Sequence, residues 1–340
     1  MTAHAPVDDT FAAALRRKID GKTKPVGALG RVEALAAQIA RVQGTLAPRM
    51  ATCGLTIFAA DHGLAAEGVS AYPQAVTRQM VLNFLDGNAA ANVFARSVGA
   101  SLRVVDAGVA GAPIADPRLL ARRIGPGTRN ARREPAMTAA ERDQALAEGR
   151  ALGADGAFDA VCFGEMGIAN TSAATLLAHK LAGLPLDTLV GRGTGLDDAG
   201  LARKRAILAD AAARTPVRLG AAEVLAEYGG FEMAMIAGAM LGAAEARRVV
   251  IVDGFIASAS ALVAVALDAR AAGALVFAHR SAEAGHAVLL AHLGAEPLLD
   301  FGMRLGEGTG GLLAWPVLRA AAAMLSEMSS FESAGVSGPA

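Results

Sequence analysis

The stretch that decides the fold is Ala160-Val161-Cys162-Phe163-Gly164-Glu165-Met166-Gly167-Ile168-Ala169-Asn170-Thr171-Ser172. Its first residues form a nearly unbroken apolar run, which a strand needs when helices cover both faces of its sheet. A glycine-rich turn with one carboxylate follows, and an Ala-rich helical stretch then starts near Asn170. Strand, glycine turn and helix start, in that order, are the repeating unit of a parallel sheet with helical crossovers.

Further short apolar runs repeat this arrangement. Strands are expected at about Leu55 to Ala60, Leu102 to Asp106, Ala160 to Gly164, Asp187 to Val190, Val249 to Asp253 and Ala274 to Ala278. Polar or glycine-rich turns follow them: Asp61-His62-Gly63, Ala107-Gly108, Glu165-Met166-Gly167, Gly191-Arg192-Gly193-Thr194-Gly195, Gly254-Phe255 and His279-Arg280-Ser281. In an open parallel sheet the ligand crevice lies beyond the carboxyl ends of the strands, so these turns are expected to converge on one site.

The fold class is therefore α/β: a Rossmann-like, mostly parallel sheet of about six strands with helices on both faces. Residues 1–49 read as helix, turn, helix around the breaker-rich Lys24-Pro25-Val26-Gly27-Ala28-Leu29-Gly30. They are expected to form a small helical subdomain, joined by a C-terminal helix at about 312–340, beside an α/β catalytic domain at 50–311. Residues Ala110 to Glu134, rich in Pro and Arg, read as a long surface loop, and the tail after Ala334 as frayed.

Composition narrows the function. The 340 residues carry 32 Lys+Arg against 32 Asp+Glu, which removes the basic face that a nucleic-acid partner requires. With 53% hydrophobic residues the chain folds, and some of the apolar surplus suits a subunit interface. The opening stretch Met1 to Phe11 carries Asp8 and Asp9 and no apolar core, unlike a signal peptide. The longest apolar runs, such as Phe255 to Leu267, fall short of the roughly 20 residues that span a bilayer. Cys53 and Cys162 each sit in an apolar run, which fits a reducing cytoplasm.

Three patterns mislead. Gly21-Lys22-Thr23 ends like a phosphate-binding loop, but Arg16 occupies the position where that loop needs its first glycine. His279, Glu283 and His286 have metal-ligand spacing, yet Gly285 weakens a helix there, and capping or loop hydrogen bonding is the favoured reading. Gly191-x-Gly193-x-Gly195 lacks the dinucleotide spacing.

Three segments carry chemistry. At the start of a helix, Gly167, Asn170, Thr171 and Ser172 offer amides and polar side chains to a phosphate. After Gly191-Arg192-Gly193-Thr194-Gly195, one of Arg203, Lys204 or Arg205 is placed to reach the same anion. In Arg304-Leu305-Gly306-Glu307-Gly308-Thr309-Gly310-Gly311, a glutamate between glycines is open to close approach. Desolvation would raise its pKa toward that of a general base, whereas loop amides bonded to it would lower it.

Read together, Lys24-Pro25-x-Gly27-x-Leu29-Gly30-Arg31-x-Glu33, Ala60-Asp61-His62-Gly63, Val69-Ser70-x-Tyr72-Pro73-x-x-Val76-Thr77, Gly164-Glu165-Met166-Gly167-Ile168, Gly229-Gly230-Phe231-Glu232 and Arg304-Leu305-Gly306-Glu307-Gly308-Thr309-Gly310 resemble the nicotinate-nucleotide:5,6-dimethylbenzimidazole phosphoribosyltransferase family. The motifs run in order along nearly the whole chain. The resemblance implies transfer of 5-phosphoribose from nicotinate mononucleotide to a benzimidazole in cobalamin lower-ligand assembly. It implies Glu307 as general base, Glu165 as a second active-site carboxylate, and Gly167, Asn170, Thr171, Ser172 and Lys204 at the nucleotide phosphate. Ser281 would lie by the nicotinate, and Ser70, Tyr72, Pro73, Gln79, Met80 and Leu305 by the benzimidazole. It also implies a homodimer and calls for neither a cofactor nor a metal. The chain departs from the family in Ala169, where a glycine is usual, in Ser172 for a threonine, and in Ala284 for a common proline. An alanine at 169 predicts ordinary backbone angles at that position.

Overall fold

The computed structural model describes residues 9–337. The expectations for the opening stretch and for the extreme tail fall in part on residues 1–8 and 338–340, outside those described.

Six strands form one sheet: β1 Cys53–Ala60, β2 Ser101–Gly108, β3 Leu119–Ala121, β4 Ala160–Met166, β5 Val249–Val252 and β6 Leu275–Phe277. All neighbours are parallel, in the order β3-β2-β1-β4-β5-β6. The strand order reverses between β1 and β4, and such a switch point opens a crevice at the carboxyl ends. The β1–β4 register pairs Phe58 with Glu165 and Ala59 with Met166, so Glu165 stands at that crevice.

Two sequence expectations are corrected. Asp187 to Val190 is no strand: Leu186–Leu189 is a single helical turn entered from Pro185. A run of that length cannot be assigned by periodicity, and the proline at φ −59 suits helix entry. Conversely, the stretch read as a loop at 110–134 contains β3, whose Leu119 pairs with Val104 at the sheet edge. Leu119-Leu120-Ala121 is apolar but too short to show a strand period, and β3 exists through its pairing.

Both faces of the sheet are covered. Helix Phe231–Glu245 is buried from Phe231 to Ala244 and lies between the sheet and helix Ala139–Ala154. Those two helices approach through Gly149, Gly153, Gly238 and Gly242, where an added Cβ would strike the opposing backbone. These four glycines therefore serve helix packing rather than ligand contact. Helix Thr309–Glu327 packs on β4, β5, Arg31–Gln43 and Ala90–Val98. The chain ends meet where the Thr23 amide donates to the Ser329 carbonyl at 3.1 Å and Lys22 donates to the Met328 carbonyl. Lys22 in the false phosphate motif is thus a structural tie. Among the described residues, no helix is long and apolar enough to cross a membrane.

Candidate active site

A cavity of about 440 Å³ opens at the switch point, where the ends of β4, β5 and β6 meet the Gly193 turn and the Glu307 loop. Its lining includes Glu165, Gly167, Asn170, Thr171, Ser281, Glu307, Tyr72, Met80 and Leu305. Nine residues named from sequence therefore share one wall. Lys204 and Ser172 are fully buried outside that lining. Pro73 and Gln79 are exposed and do not line it. Ser70 meets it through a hydroxyl contact of 3.2 Å with Thr194.

Helix Asn170–Ala182 begins without a side-chain cap; its Asn170 amide is taken by the Gly167 carbonyl at 3.1 Å and its Ser172 amide by the Ala169 carbonyl at 2.9 Å, and the positive end of its dipole stands at the cavity. The residue before it, Ala169, sits at φ 78 and ψ 3. This overturns the expectation of ordinary angles: the alanine adopts the left-handed conformation that glycine favours, at a steric cost of roughly 1–2 kcal/mol. The turn persists because its surroundings hold it. Gly167 lies against the Ala60 carbonyl and the His62 ring, with no room for a Cβ.

Of the three cations on helix Asp198–Ala213, Arg203 and Arg205 are exposed and Lys204 is buried. The Lys204 ammonium donates to the Thr171 hydroxyl at 3.0 Å. Burial lowers its pKa to about 8, against the opposing pull of the Glu283 carboxylate. Glu283, on the cavity wall, is itself raised by burial. An arriving phosphate would stabilise the charged lysine that burial disfavours.

Glu307 is also left-handed, at φ 63, and is followed by Gly308 at φ 78. Its carboxylate is buried and receives one long hydrogen bond, 3.4 Å from the Ala91 amide. Burial raises its pKa, helped by the charge of Asp253. The loop amides bond Asp253 instead: Gly308 donates to Oδ2 at 3.1 Å and Gly311 to Oδ1 at 3.0 Å. The structural carboxylate of this loop is therefore Asp253, while Glu307 receives only the one long bond from Ala91.

Glu165 stands beside Gly306, where any Cβ would strike its carboxyl group. The Asn170 side-chain Nδ2 donates to it. Burial holds its pKa well above the carboxylate range, reinforced by the charges of Asp253, Glu232 and Glu307. Burial raises both carboxyls, and it raises Glu165 further than Glu307.

Sequence reading did not single out Asp253, His279, Glu283 or Arg304 as site residues, yet all line the cavity. Their position one to six residues beyond β5 and β6, or beside Glu307, is the signal that marks them. At His286 the hydrogen-bonding reading holds: Nδ1 accepts the Ser281 amide at 2.8 Å and Nε2 contacts the Ser258 hydroxyl at 3.0 Å. An acceptor Nδ1 requires a neutral ring, in accord with a pKa lowered to about 3 by burial. Among the described residues, no group of three or more His, Cys, Asp or Glu side chains is arranged to hold a metal ion.

A family model described as phosphoribosyltransferase matches residues 4–336. The nicotinate-nucleotide–dimethylbenzimidazole phosphoribosyltransferase of Cupriavidus taiwanensis is 54% identical over 335 residues, covering 98% of this chain and 97% of that protein. The protein of the same name from Roseiflexus is 48% identical, covering 98% and 96%. The crystal structure of CobT from Thermus thermophilus superposes with a TM-score of 0.92 at 46% identity, over 96% of this chain and 99% of that one. By its sequence over nearly its full length, by its sheet order and by the cavity at the switch point, the chain belongs to the nicotinate-nucleotide–dimethylbenzimidazole phosphoribosyltransferase family.

Proposed function

We propose that this protein transfers the 5-phosphoribosyl group of nicotinate mononucleotide to 5,6-dimethylbenzimidazole, giving α-ribazole 5′-phosphate and nicotinate. The observation that carries the reading is a buried Glu307, almost free of hydrogen bonds, on the same cavity wall as an uncapped helix start. The nucleotide phosphate sits at the positive end of helix Asn170–Ala182, with Gly167, Asn170, Thr171, Ser172 and Lys204 around it. Ser281 lies by the nicotinate. The benzimidazole lies against Tyr72, Met80 and Leu305, with Ser70, Pro73 and Gln79 toward the outside.

Nicotinate departs from a cationic pyridinium, so its departure neutralises charge and needs no general acid. What the site supplies is position: the base nitrogen held near C1′ opposite the leaving group, so that β becomes α. As the new bond forms, the other ring nitrogen becomes acidic and Glu307 accepts its proton. Glu165, whose pKa burial raises, stands nearby as the second carboxyl of the site.

The chain is proposed to act as a cytoplasmic homodimer, with residues 1–49 and 312–340 forming a small helical unit beside 50–311. Purified protein mixed with nicotinate mononucleotide and 5,6-dimethylbenzimidazole should release nicotinate and yield the α anomer. Nucleotide binding without nicotinate release, or preferential transfer to adenine or a phenol in competition, would replace this reading.

A further inference from the structure

We propose that Thr77 is a positioning residue that ties the base-binding wall to the nucleotide loop, so that one hydroxyl sets the relative placement of the two substrates. The inference rests on the transferase reading above. Thr77 is fully buried in the first turn of helix Ala75–Leu85. Its neighbours Val76 and Met80 on that helix line the cavity on the side proposed for the benzimidazole. Its own hydroxyl oxygen turns the other way and accepts the amide of Ile168 at 3.1 Å. Ile168 lines the cavity between Gly167 and the left-handed Ala169, in the turn that aims helix Asn170–Ala182.

A hydroxyl that accepts a hydrogen bond still has its proton to give. Beside it lies the buried Asp61 carboxylate, whose pKa the Thr77 hydroxyl helps to hold down against burial. Asp61 is fixed in turn: its Oδ2 accepts the Ala110 amide at 2.8 Å, while Oδ1 is buried without a hydrogen-bond partner. Thr77 therefore joins the helix that carries Val76 and Met80 to the Ile168 amide, beside the Asp61 carboxylate at the end of β1. Ala169 resists its own conformation, so an external hold on the preceding amide is what such a turn needs.

The test compares Thr77→Val, which keeps shape and loses the hydroxyl, with Thr77→Ser, which keeps the hydroxyl and loses a methyl group. Steady-state KM for nicotinate mononucleotide and for 5,6-dimethylbenzimidazole is read separately from kcat. Thr77→Val is expected to raise both KM values about tenfold, the effect of a buried amide left without its acceptor, and Thr77→Ser to restore them to within about threefold. A merely structural role would lower the active fraction, and so kcat, with both KM values unchanged in Thr77→Val; that result overturns the proposal, as does equal damage in both variants. If Thr77→Val does not fold, Thr77→Ala serves in its place with the same readings. If the wild type binds nucleotide without turnover, the transferase reading fails, and dissociation constants of the variants for nicotinate mononucleotide decide the Thr77 proposal in the same way.

Discussion

Asp253 accepts the amide of Gly308 at 3.1 Å, so the carboxylate at the end of β5 grips the residue directly after Glu307. Its other oxygen takes the Gly311 amide at 3.0 Å, which makes it the N-terminal cap that Gly308, lacking a side chain, cannot provide for helix Thr309–Glu327. The same carboxylate adds negative charge beside Glu307 and Glu165. Replacing Asp253 by Asn removes that charge and one acceptor. Glu307 then ionises more readily, so the acidic limb of the kcat–pH profile should move to lower pH while kcat falls by about tenfold through the loosened loop. An acidic limb that stays in place would show that Asp253 does not influence the base.

Glu307→Gln retains size and loses proton acceptance. Turnover should fall by two or more orders of magnitude, about the usual worth of a positioned general base, with nucleotide binding unchanged by calorimetry. Near-normal turnover by the folded variant would remove Glu307 from the mechanism.

The depressed pKa of Lys204 makes nucleotide capture pH-dependent. Its charged form is present below about pH 8 and is lost as pH rises through that value. kcat/KM for the nucleotide, which reports the free enzyme, should therefore decline above about pH 8, and Lys204→Met should flatten that limb while raising KM at neutral pH by tenfold or more. A wild-type profile without this decline would argue against a phosphate contact.

Ala169→Gly tests the strain at φ 78. Glycine adopts this conformation freely, so the substitution should stabilise the protein by up to about 1 kcal/mol, offset in part by its greater freedom when unfolded. Thermal unfolding is the measurement, and a lowered Tm would mean that the loss of the buried methyl outweighs the strain.

Much of this molecule is written locally. The apolar run Ala160 to Phe163, bounded by a glycine turn and a helix start, identifies a buried parallel strand because local hydrophobicity and breakers suffice for that. Glu307 stands out for the same reason, being a carboxylate isolated among glycines. The short elements are different. Leu186–Leu189 and β3 are too brief to carry a period, and what each became depended on the neighbours that it packed or paired with.

By itself, then, the sequence determined the α/β class, the turns that converge on the site, the two glutamates and the family to which the chain belongs. Only the tertiary structure decided which of three adjacent cations is buried behind Thr171, which carboxylate holds the loop and which is left with one long hydrogen bond, and that Ala169 is left-handed. The physical reason is common to all three. Desolvation, ion pairing and backbone strain depend on groups far apart in the chain, such as Asp253 and Gly308 or Thr77 and Ile168, which meet only when the sheet is assembled.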